Sequence, residues 1–231
     1  NTLIACRDFG RGVYSFSFAN SKWTKWQNTD GFCIEGQSSD GVAVLRKASW
    51  LKSGDLSVEY WAGNVSQRII SRKLWSGIEQ KLPSFGGTTM LIYSSNQLIV
   101  IDVLHGVELA KIQLDDRFRS SISPDGSLIA SVDSSVSGEL KVWSVKSGQN
   151  IASFPIGKTA YQSNGPEWNS AGTAFAFNYG SDSTSSSDYV GLFSISDMSF
   201  VKTEGRFSAP IFENGGNSFY LPDGLYSSTA R

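Results

Sequence analysis

Residues 117–154 read RFRSSISPDGSLIASVDSSVSGELKVWSVKSGQNIASF, and this stretch decides the fold. Ser123-Pro124-Asp125-Gly126 ends a first short run. Pro presets φ there and Gly accepts a positive φ, which together make a turn. Leu128 to Val132 forms a second run, and a Ser/Gly loop separates it from Leu140-Lys141-Val142-Trp143-Ser144-Val145. That third run alternates apolar with polar positions, the period of a half-buried strand. Ser147-Gly148 supplies the next turn, and Ile151 to Phe154 closes the unit. A four-strand meander of this size cannot bury both faces alone, so the rest of the chain must supply neighbours.

The neighbours are visible as a period. Third strands are expected to start near Val13 (VYSFSF), Asp55 (DLSVEYW), Gln97 (QLIVIDV) and Glu139 (ELKVWSV), each 42 residues after the one before. A fifth starts near Asp188 (DYVGLFSI), delayed by the Ser-rich loop 180–187. The third and fourth units match best: Leu98 to Gly106 aligns with Leu140 to Gly148, with Ile101 at the place of Trp143 and Asp102 at that of Ser144. In the fifth unit Phe193 takes the Trp143 position, and Trp168-Asn169-Ser170-Ala171-Gly172 echoes Ile122 to Gly126. A fixed period near forty is the signature of four-stranded propeller blades. The expectation is therefore an all-β chain, a β-propeller of four-stranded antiparallel blades in about five to six units, or part of a larger ring. It forms one domain over 1–231, with blades near 1–28, 29–75, 76–114, 115–156, 157–205 and a partial or ring-closing 206–231. An ordinary β-sandwich with coincidental spacing is the alternative. In the first unit, Leu3 to Arg7, Val13 to Phe18 and Trp23 to Trp26 read as second, third and fourth strands. At the other end, Ala209 to Glu213 and Ser218 to Leu221 read as first and second. A C-terminal strand that completes the N-terminal blade would remove an exposed edge.

On Ser123-Pro124-Asp125-Gly126, Leu140 to Gly148 and Ile99 to Val103, the chain resembles the WD-repeat family, as a divergent WD40-like propeller. The resemblance is carried by residues 90–200; over the first ninety residues only the spacing supports it. The family's Trp-Asp pair stands here as Trp143-Ser144, and the Gly-His pair that opens a typical repeat is absent. With His105 as the single histidine, the family's buried Asp–His–Ser–Trp network cannot form in its usual composition.

Composition narrows function. Twenty Lys+Arg against 21 Asp+Glu give a net charge of −1, which argues against nucleic acid or an anionic membrane as main partner. The longest apolar runs, such as Leu98-Ile99-Val100-Ile101, are of strand length, so membrane insertion is not expected. The chain opens at Asn1 without a basic-then-apolar leader and reads as processed or as part of a longer polypeptide. Cys6 and Cys33 read as buried free thiols, with a single Cys6–Cys33 bridge as the alternative. No cofactor is expected: no GxSxG, GxxxxGK[ST] or GxGxxG stands in a strand-to-helix setting, and one histidine excludes a two- or three-histidine metal site. His105 lies in a turn and reads as a surface residue. Paired carboxylates could be drawn from Asp8, Glu35, Asp40, Asp115, Asp116, Asp133, Glu167 and Asp188. Several of the chain's acids sit before Gly or in charged loops, where turn formation explains them, so no catalytic residue is assigned.

The remaining signal is aromatic. Trp143 reads as core between blades, while Trp23 and Trp26 should face opposite sides of an outer strand. Trp75, Arg117, Arg119, Tyr161 and Trp168 fall near connections entering successive blades, where a propeller displays its loops. These five are the expected anchors for a protein partner, since aromatic and Arg side chains dominate interface energetics. A carbohydrate-binding or glycoside-hydrolysing propeller is the second reading, with acids and aromatics in a central funnel. A structural portion of a larger multidomain protein is the third.

Overall fold

A computed structural model describes residues 2–6, 12–26, 32–37, 43–47, 58–61, 68–72, 84–94, 96–114, 118–133, 138–156, 165–180, 188–204, 211–212, 218–221 and 224–227. Side chains are described over 12–26, 84–93, 96–114, 118–133, 138–156, 165–178 and 190–201. The side chains of Cys6 and Cys33, and all of residues 181–187, lie outside these sets.

Among the described residues every regular element is a strand. The fourth unit forms as its sequence dictates: β12 (Phe118–Ile122), β13 (Leu128–Asp133), β14 (Glu139–Ser144) and β15 (Asn150–Pro155) pair in order as an antiparallel sheet. The same order recurs in β4 (Phe32–Gln37), β5 (Ala43–Lys47), β6 (Val58–Trp61) and β7 (Arg68–Arg72). It recurs again in β8 (Ser84–Gly86), β9 (Thr89–Ser94), β10 (Gln97–Asp102) and β11 (Val107–Gln113), and in β16 (Glu167–Trp168), β17 (Ala174–Gly180), β18 (Asp188–Ser194) and β19 (Ser199–Glu204). Two three-stranded sheets flank these four: β1 (Thr2–Cys6), β2 (Val13–Ser17) and β3 (Lys22–Lys25) at one end of the sequence, and β20 (Ile211–Phe212), β21 (Ser218–Leu221) and β22 (Gly224–Ser227) at the other. The first strands of successive sheets meet one another, β4 with β8, β8 with β12 and β12 with β16. Sheets that share an axis through their first strands are the blades of a β-propeller.

The repetition extends to single hydrogen bonds. The residue after each third strand donates to the residue before the second: Val103 to Thr88 at 2.8 Å, Val145 to Ser127 at 2.9 Å and Ile195 to Thr173 at 2.9 Å. Gly106 and Gly148 close equivalent turns at φ 65° and 66°, in the left-handed region where a Cβ is penalised. The first sheet fits the same frame. β2 pairs with β3 through Phe16↔Trp23 and Ser17↔Lys22, the register of Phe193↔Phe200 and Ser194↔Ser199 in the fifth sheet. The connecting turns match as well, with positive φ at Ser21 (53°) and Met198 (49°). β2 and β3 are therefore the counterparts of third and fourth strands. The strand Gly224–Ser227 is a difference from the sequence reading, which ended at Leu221; its four residues contain a Gly and a Ser and give little alternation to read.

Apolar faces pack between sheets. Leu91, Leu98, Val100 and Ile112 of the third sheet meet Phe118, Ile122, Ile129 and Val145 of the fourth, with Tyr93 and Trp143 against them. Ala130, Val132, Leu140 and Val142, on the other face of the fourth sheet, meet Phe175, Phe177 and Phe193 of the fifth. Trp143 is thus core between blades. Fully burying each such side chain contributes about 1.5–3 kcal/mol. Packing is tight enough to require Gly191, where a Cβ would lie 2.5 Å from ring carbons of both Phe177 and Phe200.

Candidate functional site

Two of the five residues that the sequence marks for binding, Arg119 and Trp168, lie on the first strands β12 and β16. On β12, alternation buries Phe118, Ser120 and Ile122 and leaves Arg119 and Ser121 half-buried on the other side. Ser120 is a junction. Its hydroxyl donates to Ser131 Oγ at 2.9 Å, its carbonyl accepts from Tyr93 Oη at 2.7 Å, and its amide donates to the same Tyr93 oxygen. One residue on, Ile122 N donates to Ser84 Oγ at 3.1 Å, tying β12 to β8. On the opposite side Ser121 Oγ donates to the Pro166 carbonyl, and Trp168 Nε1 donates to the Ser121 carbonyl at 3.4 Å. Three consecutive blades are therefore laced together at their inner strands.

Glycines set how closely these strands approach. A Cβ on Gly86 would lie 1.8 Å from the Ser123 carbonyl oxygen, and one on Gly165 would lie 3.2 Å from that of Ser120. The first value leaves no room for a side chain.

Arg119 and Trp168 thus stand on adjacent inner strands. Trp168 is half-buried, its ring 4.7 Å from that of Phe175, so it serves packing as well as any surface it shows. Trp75, Arg117 and Tyr161, the other three anchors, lie outside the described residues. Tyr93, Ser84 and Ser120 are the positioning residues that sequence reading missed. Their partners across the blade boundary are 27 and 38 residues distant, and no local pattern announces them.

The carboxylates sort by environment. Partial desolvation on β16 raises Glu167 above its ordinary value, although the residue keeps an exposed surface. Burial acts the same way on Asp125, but hydrogen bonds from the Ser123 and Ser127 hydroxyls outweigh it and hold the group below its usual value. Asp102 behaves likewise, lowered by His105, whose Nδ1 sits 2.6 Å from Oδ2 on the exposed third turn. Asp197 is lowered by the hydroxyls of Ser194 and Ser196. Each lowered carboxylate organises a turn, which accounts for its charge without chemistry. Among the described residues no group of three or more His, Cys, Asp or Glu side chains could hold a metal ion, and no helix is long and apolar enough to cross a membrane. Ser131, with Ser120 as its partner, makes no bond to the indole of Trp143, whose Nε1 is buried without a hydrogen-bond partner among the described residues. The buried polar link in this blade is a serine pair.

No family model matches the chain, and no curated protein matches it. Among solved structures, a chain from the crystal structure of a mitotic checkpoint complex is similar over 99% of this chain and 80% of its own, at 12% identity and a TM-score of 0.54. A chain from the crystal structure of the eukaryotic initiation factor is similar over 87% of this chain, at 10% identity and a TM-score of 0.46. This chain spans 62% of that second chain's length. At 12% identity the likeness to the checkpoint chain concerns the fold alone, and it agrees with the blade architecture.

Proposed function

We propose that the chain is a non-catalytic scaffold that binds another protein through loops on one face of the propeller. Trp75, Arg117, Arg119, Tyr161 and Trp168 are its anchors. The observation that carries this reading is the lacing of the inner strands by Ser84, Tyr93, Ser120, Ser121 and Trp168. Side chains on strands laced in this way, such as Arg119 and Trp168, lose little entropy on binding because they are positioned beforehand. Arg119 and Trp168 sit on those strands, one on each side of a blade boundary. The solved checkpoint chain comes from a complex of proteins, which fits such a role without identifying a partner.

The test is a quantitative pull-down with all five anchors changed to Ala, and with Trp168→Phe as a milder companion that keeps an aromatic ring. Circular dichroism melting confirms that each variant is folded. Loss of the proteins enriched by the parent chain is expected. An unchanged set would show that this face is not the binding face.

A glycan-binding reading draws on one observation, the raised Glu167 beside Trp168. Consecutive strand residues point to opposite faces, so these two do not flank one ligand on the strand they share. A glycan array with the parent chain decides this reading.

A further inference from the structure

The outer strands of the second, third and fourth sheets share an irregularity. In the third sheet Val100 pairs with Ala110 and Ile101 with Glu108, so Leu109 is an extra residue in the ladder. In the fourth, Val142 pairs with Ala152 and Trp143 with Asn150, which makes Ile151 extra. In the second, Tyr60 pairs with Ile70 and Trp61 with Arg68, which makes Ile69 extra. Each is a β-bulge, and the three stand at equivalent places in successive blades. The turns do not impose it. Residues 103–106 and 195–198 form turns of equal length, yet β19 pairs with β18 from Ser199 to Glu204 without a shift.

Side chains fasten the bulge. Lys111 Nζ lies 3.0 Å from Glu108 Oε2, and Ser153 Oγ donates to Asn150 Oδ1 at 3.3 Å. Glu108 and Asn150 are equivalent by register, and so are Lys111 and Ser153. In a regular strand, residues three apart point to opposite faces. The bulge turns them to one side, so each link depends on it. One link is ionic and the other neutral, but their geometry is the same.

The location gives the bulge a consequence. β11 and β15 end their sheets. A regular end strand offers outward N–H and C=O groups at even spacing, the template on which another strand pairs. A bulge breaks that spacing, bends the strand and raises its twist. It divides the edge of β11 into 107–108 and 110–113. On β15 Pro155, which has no N–H to offer, shortens the remaining run further.

We propose that the bulges at Leu109 and Ile151 guard the outer edges of the third and fourth sheets, closing them to strand addition by a second copy of this chain. The proposal stands apart from the scaffold reading, because it is measured by association of the chain with itself and not by capture of a partner.

Deleting the extra residues tests it, since every other pair along both strands stays in register. The full chain lacking Leu109 and Ile151, and each single deletion, are compared with the parent by sedimentation velocity across a concentration series. Circular dichroism melting reports folding. Leu109 is 46% exposed and Ile151 is 44% exposed, so a chain carrying Leu109→Lys and Ile151→Lys separates edge geometry from apolar surface. The double deletion should stay folded and shift to larger species with concentration more strongly than the parent, with each single deletion between them. The Lys chain keeps both bulges and should sediment as the parent does. A folded double deletion that sediments as the parent does would overturn the proposal. So would a parent that self-associates and is dispersed by the Lys substitutions, since the two aliphatic side chains would then form the contact. Deletion chains that fail to fold would also overturn it, because the bulge would then serve the packing of the sheet and not its edge.

Discussion

The first and fifth sheets share a register and differ in their surroundings. Phe193 and Phe16 are cross-strand partners of equivalent aromatics, yet Phe193 is fully buried while Phe16 belongs to a face with two exposed rings. The fifth sheet owes its buried core to the fourth sheet beside it, since strand pattern alone is the same in both. In a propeller, whether an aromatic residue is core or surface is decided by the neighbouring blade.

The largest effect expected from this contrast is in the fifth sheet. Phe193→Ala should cost about 3–5 kcal/mol in urea unfolding, the range for removing a buried aromatic ring. Phe16→Ala, at the equivalent place, should cost about 1 kcal/mol, as for a partly exposed position. Similar losses at both positions would break the comparison. Next comes the boundary between the third and fourth blades. Gly86→Ala forces a Cβ to 1.8 Å from a backbone oxygen that cannot rotate away, so a loss of about 1–3 kcal/mol or more is expected. Tyr93→Phe is smaller. It strips both hydrogen bonds at Ser120 and should cost about 1–2 kcal/mol, again by urea unfolding.

The smallest effect is a pH dependence in the turn before β13. Asp125 is held below its ordinary value in the fold, so its contribution is present at neutral pH and is lost as pH falls through that lowered value. Asp125→Asn should therefore melt lower than the parent at pH 7. The gap should narrow below about pH 4, the ordinary carboxylate range. A gap constant with pH would assign the turn's stability to backbone geometry rather than to the carboxylate.

Much of this fold is legible in the chain. Ser123-Pro124-Asp125-Gly126, the alternation in Leu140 to Val145 and the recurrence of Gly106 and Gly148 are local signals, and each produces a local structure. Period then turns local structure into blades. The inner-strand lacing was not legible, because Tyr93, Ser84 and Pro166 meet β12 only once whole sheets have packed. Trp168 illustrates the limit for the candidate site: sequence placed it near a connection, and the structure adds that its indole already bridges to Ser121. Trp23 illustrates it for the surface. Its spacing from Trp26 implied opposite faces, and the pair does divide into 48% and 1% exposed, but which face becomes buried is a property of the assembly.

Hydroxyl-radical footprinting read by mass spectrometry tests the central contrast most directly, because it compares one residue type in two settings. Phe18 is predicted to oxidise readily and Phe193 to be protected, with Trp23 modified alongside Phe18. Protection of Phe18 equal to that of Phe193 would contradict the contrast in exposure between the first and fifth sheets.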